Sequence, residues 1–305
     1  MKDAAVSARP ERSRRTVHAD SWRTVSDYVA LTKPRLNVLV VATSAAGYYL
    51  GATAAVNVAA FVATVVGTAL VAGGAAVLNQ VYERDTDALM MRTRMRPLPN
   101  GRVAPSEARV FGVALSLAGL LLLTAFSTWL ASLLALATLI IYLFIYTPLK
   151  RLSPLATIVG AVPGALPPLI GWVASHGTIA LGGIALFLIV FFWQIPHFMA
   201  IAWMYRDDYG AAGFPMLPVI DPEGRRAGRQ AVAYAAALLP ASLVPTFVDL
   251  SGIVYGTVAA VLGIALLALS IRFAGARTTK NARQLFFASL AYLPLIWIVM
   301  IADKR

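Results

Sequence analysis

The chain has no cysteine among its 305 residues. That excludes disulfide scaffolds, thiolate metal centres, c-type haem attachment, a cysteine nucleophile, and prenyl or palmitoyl anchors on the chain itself. Charge is scarce as well. Asp, Glu, Lys and Arg make up 13% of the residues against 59% hydrophobic types, where a soluble globular domain carries about 25% charged residues. This balance argues against a water-soluble fold, and the mean hydropathy of +0.73 points to a chain whose solvent is largely lipid. Acids are the scarcer sign, 14 against 26 Lys and Arg, for a net charge of +12, and there are three His. Wherever acidic or imidazole groups gather in such a chain, their placement carries information.

What is abundant is apolar sequence in long runs. Runs with few charges, near the length a membrane helix needs, predict about nine transmembrane helices and an all-α fold. The spans are 36–55, 57–78, 110–127, 129–147, 154–174, 179–203, 230–248, 252–274 and 284–302. The fifth contains Gly160, Pro163, Gly164, Pro167, Pro168 and Gly171. It is expected to kink and to face protein or a cavity, where freed backbone groups find partners. Nine spans place alternate connections on opposite sides, and every Lys and Arg except Lys304 and Arg305 then falls on one side. The positive-inside rule makes that side cytoplasmic. The expectation is a multi-pass protein of the cell membrane, N-terminus in and C-terminus out.

Residues 1–30 read as a basic cytoplasmic arm and residues 31–305 as one transmembrane domain. The arm carries Arg9, Arg12, Arg14 and Arg15 with Asp3, Glu11 and Asp20, and no apolar stretch follows before position 36. It is therefore neither a signal peptide nor an acid-poor transit sequence, and it suits the surface of an anionic lipid bilayer. No folded basic surface or stacking motif accompanies it, so nucleic acid is not an expected partner.

Three clusters on the cytoplasmic side could carry chemistry. The first is Asn79-Gln-Val-Tyr-Glu83-Arg-Asp85-Thr-Asp87. If the second helix continues through it, Asn79, Glu83 and Asp87 share a face, drifting about 40° per step. Two carboxylates and an amide suit Mg²⁺ bridged to a phosphate-bearing substrate, because Mg²⁺ favours oxygen ligands and keeps substrate and water in its shell. Arg92, Arg94, Arg96 and Arg102 follow and could hold phosphate oxygens. The bland alternative is a solvated loop with surface ion pairs. The second cluster is Tyr146-Thr-Pro-Leu-Lys150-Arg151, readable either as a diphosphate contact or as interfacial topology anchors. The third runs from Trp193-Gln-Ile-Pro-His197-Phe to Arg206-Asp207-Asp208-Tyr209 and Gly213-Phe-Pro-Met-Leu-Pro218. Asp207 and Asp208 could meet a second cation, with His197 about 15 Å down the helix axis. A lone His is more often a satisfied core residue, but beside Trp193 and Phe198 it is a candidate contact for an aromatic or metallo-organic substrate.

Taken together these segments resemble the UbiA superfamily of intramembrane prenyltransferases, most closely its haem O synthase branch. The resemblance covers nearly the whole chain after the arm. It rests on Leu31-Thr-Lys33-Pro-Arg35, on the Asn79–Asp87 run with Met90, Arg92, Thr93, Arg96, Pro97 and Leu98, on Tyr146–Arg151, and on Trp193–Phe198 with Asp208-Tyr209, Ala212-Gly213 and Pro215–Pro218. Two departures stand out. Gln80 and Glu83 replace aspartates of the superfamily's first motif, as in the haem branch, and adjacent Asp207 and Asp208 replace its second pair of aspartates four apart.

The resemblance implies helices around a central cavity open to the cytoplasmic side, and transfer of farnesyl from farnesyl diphosphate to a vinyl group of haem b, with water added and diphosphate released. It implies Mg²⁺ held by Asn79, Glu83, Asp87 and Asp208, and catalysis by Asn79, Glu83, Asp87 and Lys150. Substrate contacts are expected from Lys33, Arg35, Arg92, Arg96, Tyr146, Arg151, Trp193, His197, Asp207 and Asp208. Haem b and farnesyl diphosphate are the implied ligands and a haem A synthase an implied partner. A prenyltransferase of the same fold acting on an aromatic acid or quinone precursor is one alternative. A transporter lined by the kinked helix is another.

Overall fold

The computed structural model describes residues 24–305, so the arginine-rich part of the arm expected over 1–30 lies largely outside the described residues. Residues 24–31 form a short helix, α1. It is followed by α2 (Pro34–Gly51), α3 (Val58–Asp87), α4 (Pro105–Phe126), α5 (Trp129–Leu149), α6 (Ala156–His176) and α7 (Leu181–Met204). Two short helices, α8 (Arg206–Ala211) and α9 (Leu217–Ile220), lead to α10 (Arg225–Phe247), α11 (Ile253–Gly275) and α12 (Thr279–Ala302). Among the described residues there is no strand, only an isolated antiparallel bridge between Ser251 and Lys304.

Each of the nine expected spans has a helix at its place. Eight of these helices are long and apolar enough to cross a membrane, and α2 is not among them, since its first turn carries Arg35 and Asn37. The second span runs further than its apolar part, because α3 continues as helix through Asp87. Local signals set several starts. Asn57 caps α3 by accepting from the Ala60 N–H at 3.1 Å, Thr128 caps α5 and Thr278 caps α12. Proline occupies the first turn of α2 and α4.

α6 sits at the centre, packed against α2, α5 and α7. It remains one helix through Pro163, Pro167 and Pro168. Of its most apolar stretch 72% is buried, against 22% for the peripheral α4, which places the proline-rich helix among protein neighbours as expected. The α2–α6 crossing is close because Gly171 has no side chain: a Cβ there would collide with the Ser44 carbonyl oxygen. Gln194 of α7 is buried and donates to the carbonyl oxygen of Ala161 at 3.1 Å, a polar tie between two well-enclosed helices.

α3 and α4 flank this centre on one side, and α10 and α12 pack on α7 on the other, with α11 against both of them. α1 docks at the end where α3 finishes. Tyr28 meets Phe111 edge-to-face at 5.1 Å, and buried Gln80 donates to the Leu31 carbonyl oxygen at 2.6 Å. Residues 24–30, read from sequence as arm, thus pack on the bundle. This end of the molecule gathers the acids and bases of the sequence motifs.

Candidate active site

The face of α3 predicted from spacing exists, and it points inward. Asn79, Glu83 and Asp87 are buried, with 3%, 4% and 1% exposure. Ionised carboxylates so enclosed need compensation, and each has a cationic partner. Lys150 Nζ lies 3.2 Å from Glu83 Oε1 and 3.4 Å from Oε2. Arg96 NH1 lies 2.7 Å from Asp87 Oδ2. The Asp87 carbonyl oxygen accepts from the Thr93 hydroxyl at 2.7 Å, which curls the loop after α3 back so that Arg96 reaches its acid. Arg151 donates to the Thr86 hydroxyl from the same side.

Lys150 gets there through an irregularity in α5. Residues Ile141–Tyr146 form a π-helical stretch, whose wider turn shifts the phase of everything after it. Tyr142 and Tyr146 stack at 5.3 Å, and Tyr146 fits beside Gly160 of α6, where a Cβ would press on its ring at 2.6 Å. The fully buried Thr147 hydroxyl donates to the Tyr142 carbonyl oxygen at 2.7 Å and accepts from Asn79 Nδ2 at 3.1 Å. With its amide nitrogen committed to Thr147, Asn79 keeps its oxygen for another partner.

Lys33 joins the cluster from α1–α2. It is the helix-capping residue before Pro34, in left-handed conformation with φ 52°. Burial pushes its pKa down to about 8, repulsion from Arg96 adds to this, and Glu83 and Asp87 partly offset it. Arg35 is exposed and joins no ion pair among the described residues.

The segment after α7 closes over the same end. Arg92 lies over the rings of Tyr205 (5.3 Å) and Tyr209 (5.8 Å), and Lys150 over that of Phe214 (4.6 Å). Met90, Tyr209 and Phe214 form a small buried cluster there. Asp208 accepts from the Met91 N–H at 3.2 Å, tying α8 to the loop after α3. Asp207 points away, with a side chain 94% exposed and 3.8 Å from Arg206. The two aspartates therefore do different things: one fastens the segment, the other faces outward. His197 and Trp193 are turned towards α12. His197 Nδ1 pairs with Ser289 Oγ at 2.9 Å, its ring stacks on Trp193 (5.1 Å) and Phe286 (4.9 Å), and Trp193 Nε1 donates to the Ser289 carbonyl oxygen at 2.7 Å. No contact among the described residues joins this pair to the α3 acids.

Sequence reading passed over Thr86, Thr93, Thr147, Tyr205 and Phe214 as functional positions. The first three are neutral hydroxyls whose partners are set only by packing. Tyr205 and Phe214 do flank the aspartate pair and stand out as aromatics beside basic residues.

As a metal site the donor set is hard and oxygen-rich, but no group of three His, Cys, Asp or Glu stands together among the described residues. Asn79, Glu83 and Asp87 fit an ion that takes one or two carboxylates and completes its shell with substrate oxygens and water, the habit of Mg²⁺.

The profile of the UbiA prenyltransferase family matches residues 40–292. The chain belongs to this family. It is a multi-pass membrane prenyltransferase, and known proteins resemble it over most of its length. A protoheme IX farnesyltransferase of Opitutus terrae is 48% identical over 280 residues, 92% of this chain and 95% of that protein. One from Solibacter usitatus is 45% identical, covering 91% of this chain and 98% of its own. Among solved structures, a digeranylgeranylglyceryl phosphate synthase superposes with TM-score 0.79 at 16% identity, covering 92% of this prenyltransferase and 98% of the synthase. A UbiA homologue from Archaeoglobus fulgidus bound to GPP and Mg²⁺ superposes with TM-score 0.62 at 19% identity, covering 90% and 99%. At such identities these two speak for the fold.

Thr147→Val keeps shape but removes the hydroxyl that orients Asn79. It should weaken Mg²⁺ affinity, raising the metal concentration for half-maximal rate about tenfold, as loss of outer-shell support does, while Thr147→Ser restores it. Equal metal dependence in all three proteins would leave Thr147 as packing only. Lys33, partly neutral near pH 8, should regain its proton when an anion arrives. Calorimetry of inorganic diphosphate binding near that pH, in two buffers of different ionisation enthalpy, should show greater proton uptake than in Lys33→Met. Equal uptake would put Lys33 outside the field of the diphosphate.

Proposed function

We propose that the chain is a protoheme IX farnesyltransferase, a haem O synthase, joining the farnesyl group of farnesyl diphosphate to a vinyl group of haem b with addition of water. The observation that carries this reading is the 40–48% identity, over 88–100% of the chain, to relatives from seven bacteria and a plant that bear that name. The site supports it, since the residues needed for a diphosphate leaving group are gathered at one end.

In this reading the allylic C–O bond of farnesyl diphosphate breaks, with the bonding pair leaving on diphosphate. The vinyl π electrons of haem b then form the new C–C bond to the allylic carbon. Water adds to the resulting cation beside the porphyrin and loses a proton, giving the hydroxyethylfarnesyl side chain. Mg²⁺, when bound, supplies charge neutralisation of the leaving diphosphate. Asn79, Glu83 and Asp87 are the residues that would hold it. Lys150 and Arg96 shift from Glu83 and Asp87 to phosphate oxygens, joined by Lys33, Arg92 and Arg151, so that donors already in place meet the charge that grows as the bond breaks. Met90, Tyr209 and Phe214 exclude water from this end, and the rings of Tyr209 and Phe214, already engaged by Arg92 and Lys150, favour a cation nearby. His197 is assigned to the tetrapyrrole: Ser289 holds Nδ1, and Nε2 has no partner among the described residues. The motif end faces the cytoplasm, in the cell membrane, following the distribution of Lys and Arg.

Purified protein in detergent with haem b, farnesyl diphosphate and Mg²⁺ should form haem O, detected by mass spectrometry. Glu83→Gln, which avoids stranding Lys150 beside a void, should lower the rate on the order of 100-fold with folding intact. Prenylation of a small aromatic acid but not of haem b would overturn the acceptor. Near-wild-type turnover in Glu83→Gln would overturn the assignment of the acids.

A further inference from the structure

His197 stands on α7 about 10 Å from the motif end of that helix, reckoned from Met204 at 1.5 Å per residue. Two rings and one hydrogen bond hold it. Trp193, one turn back on the same face, stacks on the imidazole at 5.1 Å, and Phe286 of α12 stacks on it at 4.9 Å, so the plane of the ring is set. The contact of Nδ1 with Ser289 Oγ at 2.9 Å sets its rotation within that plane.

Proton counting then decides the tautomer. Ser289 is fully buried, and its hydroxyl has one hydrogen to give. The Phe286 carbonyl oxygen, which can only accept, lies 2.7 Å from Ser289 Oγ. The hydroxyl hydrogen goes there, so Ser289 Oγ meets His197 with a lone pair, and Nδ1 carries the ring proton. The opposite tautomer would keep one of these two bonds where this one makes both. Nε2 is thereby left as a bare lone pair. It has no partner among the described residues, and unlike Trp172 Nε1 or Trp203 Nε1, which are sealed in without one, it reaches accessible space. The same serine accepts from Trp193 Nε1 through its carbonyl oxygen at 2.7 Å. One residue of α12 thus holds both rings of the α7 pair.

A neutral imidazole with its Nδ1 proton hydrogen-bonded from behind and its plane fixed is the form in which histidine ligates a metal through Nε2. We propose that Ser289 is a positioning residue for the acceptor: by accepting from Nδ1 it sets His197 Nε2 to ligate the iron of haem b while the vinyl group is prenylated. This rests on the haem reading above and deepens it. The bond is dative, from the Nε2 lone pair to iron, and moves no proton and no electron between them. It gives a flat, largely apolar substrate one fixed point, within the helix that leads to the motif end. An aromatic acid or quinone precursor offers no metal to Nε2, so the Ser289–His197 pair also selects among acceptors.

The tautomer is read by NMR in the ligand-free, full-length protein with isotope-labelled histidine, the difference from His197→Gln assigning the ring. Nitrogen chemical shifts should show a protonated Nδ1 and a bare Nε2; the reverse would overturn the proposal without touching the function. Haem b is then titrated into wild type, Ser289→Ala, Ser289→Thr and His197→Gln in detergent. Each is checked for folding by circular dichroism, its ferrous complex is examined by resonance Raman spectroscopy, and haem O formation is assayed in parallel. Wild type should show an iron–histidine stretch that His197→Gln lacks. Ser289→Ala should keep the stretch at lower frequency, because an imidazole that no longer donates from Nδ1 is a poorer base, and should bind haem about tenfold more weakly. Ser289→Thr keeps the hydroxyl and should restore both, and inorganic diphosphate should bind all of these proteins alike. An unchanged stretch and haem affinity in Ser289→Ala would overturn the role of Ser289, and a stretch persisting in His197→Gln would overturn the ligation. In either case haem O formation by wild type would leave the function standing. A wild type that neither binds haem nor forms haem O would overturn the haem reading, and this assignment with it.

Discussion

Two carboxylates buried at the end of an apolar helix are the constraint around which this molecule is arranged. Glu83 and Asp87 cannot remain ionised where they stand without cations beside them, and the fold supplies Lys150 from α5 and Arg96 from the returning loop. Removing one partner of such a pair costs about 3–5 kcal/mol in general, because the other charge is left uncompensated. The π-helical stretch of α5, the turn held by Thr93 and the closing aromatic segment around Tyr209 and Phe214 all serve to bring those cations in and keep water out. In the proposed reading the same pairs poise the site for a diphosphate. A phosphate group offers Lys150 and Arg96 a second set of anionic oxygens, and a divalent cation offers the acids a second positive charge. In that reading, exchange of partners keeps the buried charge balanced throughout.

The bundle separates polar chemistry into two ends. Among the described residues, every Lys and Arg except Lys304 and Arg305 lies towards the motif end. The far end has few charges, and most are committed: Asp303 accepts from the Tyr255 N–H at 2.8 Å at the start of α11, and Arg305 holds Asp249. Between the ends, α6 and α7 cross α2 and α12 with only isolated polar ties such as Gln194 with Ala161 and His197 with Ser289. Among the described residues the ionisable groups gather at the two ends of the bundle, as suits a group-transfer enzyme whose reactive groups face one side.

Much of this was legible in the sequence. Apolar runs gave the places of the helices, because in lipid a spanning segment must satisfy its own backbone. The spacing of Asn79, Glu83 and Asp87 fixed their common face once α3 was helical. Less was legible wherever an irregular backbone decides. Nothing in Ile141–Tyr146 announces a π stretch, so Lys150 could be read equally as an interfacial anchor. Asp207 and Asp208 are adjacent and chemically identical, yet only the backbone of α8 decides that one bonds Met91 and the other faces out. Residues 24–30 looked like arm because their helix is stabilised by single contacts, Tyr28 with Phe111 and Asp27 with Arg102, that no periodicity reveals.

The central claim is that the buried acids exchange their cations for metal only when diphosphate takes those cations over. Electron paramagnetic resonance of Mn²⁺ measures it directly, by following loss of the free-ion signal as protein is added with and without an unreactive farnesyl diphosphate analogue. The account predicts weak Mn²⁺ binding alone and affinity raised about tenfold or more by the analogue, beyond the analogue's own affinity for the ion in protein-free solution. Equal Mn²⁺ affinity with and without the analogue would contradict it.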